Sequence, residues 1–131
     1  MASETKHMNT LKAGEQGEVK IADDVVSVIA GLAASDVKGV ASLAGNATRE
    51  VIGKMGFKSL NKGIRLTVDD TQVHVWMKVN IRYGYNVPDT CAAVQDRVVT
   101  AIETMTGLTV AEVNVRVNSV VMDGAGTGAA D

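Results

Sequence analysis

The stretch from Gly63 to Val121, GIRLTVDDTQVHVWMKVNIRYGYNVPDTCAAVQDRVVTAIETMTGLTVAEVNVRVNSVV, decides the fold. Ile64, Leu66 and Val68 alternate with Arg65 and Thr67. After Asp69-Asp70-Thr71 the alternation resumes through Val73, Val75, Met77, Val79, Ile81 and Tyr83. A period of two puts one face of each strand in a core and leaves the other wet. Asp69-Asp70 between two such runs reads as a turn, because Asp bonds its own backbone and tolerates turn geometry. A helix follows from Pro88, whose missing N–H costs nothing in a first turn. Its stripe carries Cys91, Val94, Val98, Ala101, Ile102 and Met105, and Gly107 suits the left-handed cap. Val113, Val115 and Val117 then alternate as a last strand.

Working outward, Glu18 to Ile21 reads as a short strand. Asp23 is placed to cap the helix after it, and Asp24 suits the positive first turn. Val25, Val28, Ile29 and Leu32 form that helix's buried stripe, widened by Val26, Ala30 and Ala33. Val40 to Leu43 suggests a second short strand. Asn46 to Met55 reads as a weaker helix, interrupted by Gly53 and stopped near Gly56. The sum is an α+β domain over residues 15–123: a two-layer sandwich with helices on one face of a mostly antiparallel sheet. Residues 1–14 read as a disordered tail, and the Gly/Ala-rich residues 124–131 as a flexible one.

Tyr83-Gly84-Tyr85-Asn86-Val87-Pro88, Val94-Gln95-Asp96-Arg97-Val98, Glu103-Thr104-Met105-Thr106-Gly107-Leu108 and Val113-Asn114-Val115-Arg116-Val117 together resemble the alkaline-shock-protein family of bacterial envelope stress proteins. Gly17-Glu18-Val19-Lys20-Ile21-Ala22 and Lys38-Gly39-Val40 agree with it at the front, so the resemblance covers about Gly14 to Asp123. It implies a small non-enzymatic cytoplasmic protein of envelope homeostasis that self-associates and is held near the membrane by a membrane-anchored protein partner. One branch of the family implies a different role, regulating a metabolic enzyme of fatty-acid synthesis at the carboxylase that makes malonyl-CoA. The resemblance supplies no catalytic residues.

Composition sets its own bounds. The chain has 131 residues, enough for one core. Aromatics are only 3%, so Val, Ile, Leu, Met and Ala must fill that core. A formal net charge of −2 speaks against a dedicated nucleic-acid binder, and so does the scarcity of aromatics for base stacking. The most apolar run, Val25 to Ala34, is shorter than the roughly 20 residues a bilayer span needs, so no direct transmembrane insertion is expected.

No catalytic, cofactor or metal constellation stands out. Cys91 is the only thiol, and the only histidines are His7 and His74. Cys91 reads as small apolar filler. One Cys and two distant His make no ligand cluster.

Two surfaces remain as interaction candidates. The wet face of the long strand carries His74, Trp76, Lys78, Asn80 and Arg82. An outward Trp beside cations suits an interface anchor. The last strand's Glu112, Asn114, Arg116 and Asn118 would extend it. The alternative is an ordinary solvated sheet face with Trp76 covered by a tail or short strand. The second candidate runs from Arg49 to Arg65, where Arg49, Lys54, Lys58 and Lys62 are interleaved with Val51, Ile52, Met55, Phe57 and Leu60. It reads either as a basic surface touching anionic lipid or a charged partner, or as a solvated connection whose apolar residues dock onto the domain.

Overall fold

The computed structural model describes residues 8–44, 47–60 and 63–122. Along the chain these form β1 (Met8–Gly14), β2 (Gly17–Ala22), α1 (Asp23–Ser35), β3 (Val40–Leu43), α2 (Arg49–Met55), a 3-10 segment (Gly56–Leu60), β4 (Ile64–Asp69), β5 (Gln72–Arg82), α3 (Val87–Thr106) and β6 (Thr109–Val121). The class is α+β, with helices packed on one face of a small sheet.

β5 is the axis of the main sheet. Its valines, Met77 and Ile81 are buried against α1 and α3, as the alternation requires. β6 takes one edge of β5 along its whole length, from Gln72 to Arg82. The other edge is shared end to end: β4 pairs with residues 72–77, and β3 pairs with Val79, Asn80 and Ile81. Both of these pairings are antiparallel, whereas β5 and β6 run parallel. The helix explains this. At about 1.5 Å per residue, 20 residues of α3 carry the chain back along the length of β5 before β6 begins beside Gln72.

The caps and turns follow local chemistry. Asp70 sits at φ 62° in the β4–β5 turn, a conformation Asp tolerates. Asn86 caps α3 by accepting from the Asp89 N–H at 2.9 Å, and Gly107 takes the left-handed position at the other end. The junction of β3 and β4 requires Gly63, where a Cβ would lie 2.9 Å from the Ala44 carbonyl oxygen.

Several expectations change. Residues 8–14, assigned by sequence to a disordered tail, form β1, which pairs with β2 as a separate two-stranded sheet. Asp23 does not cap α1. Ala22 holds that position, and the Asp23 carboxylate accepts instead from Asn9 Nδ2 at 2.7 Å. Val25 and Met105, placed on buried stripes, are 45% and 68% exposed. Each stripe is narrower than its apolar residues suggest, because each helix faces the core along only part of its circumference. The proposed glycine-rich tail, residues 124–131, and residues 1–7 lie outside the described residues.

Candidate functional site

The face of the sheet opposite the helices carries a shallow open trough of about 510 Å³. Its floor is Trp76. The two-residue turn at Asp70 and Thr71 sets the β4–β5 register so that Arg65 stands directly across from Trp76. On the other side, β6 brings Asn114 opposite Trp76 and Arg116 opposite Lys78. Local irregularities between Val110 and Glu112 and between Val117 and Ser119 interrupt this pairing. Between them Glu112, Asn114 and Arg116 stay in phase with His74, Trp76 and Lys78.

Trp76 is held from two sides. The Arg65 guanidinium carbon lies 5.4 Å from the Trp76 ring centroid, within cation–π range. The His74 ring stacks beside it, with centroids 6.3 Å apart and planes 22° from parallel. His74 is anchored through Nδ1 to Glu112 Oε2 at 2.9 Å. Hydrogen bonds from His74 and then Asn114 hold the Glu112 carboxyl below its ordinary value. Arg65, Lys78 and Arg116 take part in none of the ion pairs found among the described residues. The trough is therefore a cationic surface around one indole, with the His74–Glu112 pair beside it on the neighbouring positions of β5 and β6.

Of the predicted strand-face residues, the structure brings Trp76 and Lys78 into the trough and sets His74 at its margin. Arg82 lies beyond it, half-buried at the far end of β5. Asn80 is a correction. It was expected on the wet face and is 6% exposed. Its Nδ2 donates to Ser42 Oγ at 2.9 Å, and its Oδ1 accepts from Ser119 Oγ at 2.8 Å, so it bridges β3, β5 and β6. Asn118 is likewise displaced, because Ser119 rather than Asn118 pairs with Asn80. Arg65 belongs to this trough and not to the basic segment with which the sequence grouped it. The hairpin turn was the signal that could have placed it.

The second candidate resolves differently. Ile52 and Leu60 are buried and dock the segment onto α1. Arg49 is paired with Asp36. Lys54, Met55, Phe57 and Lys58 are exposed. Lys62 lies outside the described residues.

Cys91 is half-buried on α3, and burial pushes its thiol up, away from the thiolate a nucleophile needs. Among the described residues no group of three or more His, Cys, Asp or Glu is placed to hold a metal ion. None of the described helices is long and apolar enough to cross a membrane.

The sequence model of the Asp23 family, described as having a cell envelope-related function, matches residues 12–122. (The family's name is unconnected with residue Asp23.) The uncharacterized protein YqhY of Bacillus subtilis strain 168 is 32% identical over 107 residues, covering 82% of this chain and 79% of that protein. The uncharacterized protein Spy1535 of Streptococcus pyogenes serotype M6 is 32% identical over 108 residues, covering 82% and 81%. YloU of Bacillus subtilis, also uncharacterized, is 27% identical over 109 residues, covering 79% and 88%. No solved structure gives a significant match.

Proposed function

The chain belongs to the Asp23 family of cell envelope-related proteins, and from that premise we propose that it is a non-enzymatic scaffold of the cell envelope. It self-associates through the trough on its open sheet face and works at the cytoplasmic side of the membrane through protein–protein contacts. A membrane-anchored partner, rather than a span of its own, holds it there.

One observation carries this reading. Arg65, Lys78 and Arg116 surround Trp76 on an open face, and no described carboxylate pairs with any of the three. Trp and Arg are the side chains most enriched among residues that dominate binding energy at protein interfaces. A concave, unneutralised cluster of this kind favours an acidic protein surface over an apolar one.

Static light scattering on the purified chain tests the reading. Molar mass should rise with protein concentration above the monomer's 13.7 kDa, and added salt should lower it, since the contacts are charged. A mass that stays at the monomer value at every concentration and salt would overturn the scaffold reading.

A further inference from the structure

The charges of the trough are arranged against the stability of the sheet. Lys78 and Arg116 stand directly opposite each other on β5 and β6, and like charges facing across a ladder destabilise it. Arg65, across from Trp76 on β4, adds a third cation to the same lining. The chain as a whole is acidic, with 15 Asp and Glu against 13 Lys and Arg, yet no carboxylate lines the trough. The acids of neighbouring strand positions lie outside it. Glu112 is bonded to His74, and Asp69 ends β4 opposite Gln72. The Asn114 amide is turned to the Val75 carbonyl at 3.3 Å.

We propose that the trough is a binding site for a phosphate-bearing anion, held by Arg65, Lys78 and Arg116 over the Trp76 indole. Three observations carry this. Three cations exceed what one carboxylate neutralises, whereas a phosphate monoester brings a charge of about −1.5 to −2 and three strong acceptor oxygens. Two of the three are arginines, whose planar fork matches phosphate oxygens. The groups converge from three strands, and Gly63, whose carbonyl accepts from the Lys78 N–H, leaves the flank beside Lys78 without a side chain. A trough of about 510 Å³, open on one side, admits either a soluble phosphate ester or the headgroup of a phospholipid. Binding itself stands apart from the scaffold reading. Its consequence rests on that reading: the same cations serve both contacts, so bound phosphate releases one copy from another.

Trp76 emission tests the site, measured at a concentration where light scattering gives the monomer mass. The full-length chain is titrated with sodium phosphate, with sodium chloride at matched ionic strength as reference. It is also titrated with vesicles of phosphatidylglycerol and phosphatidylcholine in equal parts, and of phosphatidylcholine alone. Arg65→Gln/Arg116→Gln keeps the indole and should weaken binding at least about tenfold, with circular dichroism checking its fold. A saturable response to phosphate beyond that to chloride, weakened in the variant, supports a soluble phosphate ligand. A response confined to the phosphatidylglycerol vesicles, weakened in the same way, supports a headgroup. Responses equal to those of chloride and of phosphatidylcholine alone, or unchanged in the variant, overturn the proposal. Phosphate that binds yet leaves the assembled mass equal to that in matched chloride overturns the shared-surface scaffold reading and leaves the site standing.

Discussion

Arg65 and Trp76 face each other across the β4–β5 ladder, with the guanidinium 5.4 Å from the indole centroid. A cation held over a ring in this way is worth about 0.5–1 kcal/mol at an exposed site. Its greater consequence is geometric, because it fixes the ring as the floor of a cationic trough. Trp76 is also the only tryptophan in the chain. Intrinsic fluorescence therefore reports on this site alone. Arg65→Ala should change the emission intensity of the monomer, while assembly of the wild type should shift its maximum to the blue as the indole loses water. Emission insensitive to both would mean that Trp76 does not lie at the contact.

The Asn80 amide ties three strands together through Ser42 and Ser119. Asn80→Ala leaves the Ser42 hydroxyl, on a residue that is 8% exposed, without this partner. The expected loss is about 1–3 kcal/mol of unfolding free energy, read by urea denaturation. A loss below about 0.5 kcal/mol, the scale of ordinary surface changes, would show that Asn80 belongs to the wet face after all.

Two glycines should respond in opposite directions. Gly63→Ala places a methyl 2.9 Å from the Ala44 backbone oxygen, where β3 and β4 meet. Thermal or urea unfolding should show a loss of about 1–3 kcal/mol. Gly53→Ala lies within α2, and its added Cβ meets nothing within 4 Å. It should be neutral or stabilise by up to about 1 kcal/mol through helix propensity. Reversal of this order would contradict the placement of the α2–β4 connection.

The Glu112 carboxyl is held below the ordinary glutamate value of 4.5 by its hydrogen bond with His74 first and then Asn114. A depressed folded value means that the unfolded chain takes up this proton more readily. The contribution to stability is complete above the ordinary value and disappears as pH falls through the depressed one. Glu112→Gln should flatten the acid limb of a stability–pH profile in that window. An identical acid limb in the variant would show that the hydrogen bonds do not persist in solution.

The β4–β5 hairpin, α3 and β6 are all legible in the sequence, because each carries a clean period and a punctuating residue: Asp70, Pro88 and Gly107. The β1–β2 hairpin is not. Leu11 falls where the β1–β2 register shifts, so the alternation that announces a strand is broken there. Asn80 fails for another reason. A period of two assigns a face but not its cover, and the cover here is Ser42 and Ser119 from strands whose pairing is set only by the finished topology. The trough was half visible. Trp76 and Lys78 stood out by type and phase, while Arg65 needed the turn register to be carried across the hairpin.

Sedimentation velocity of the wild type and Trp76→Ala over a concentration series tests the central claim most directly. The account predicts sedimentation coefficients that rise with concentration for the wild type and remain those of a monomer for the variant, with matching circular dichroism. Equal assembly in both would contradict the claim that the open sheet face joins the copies.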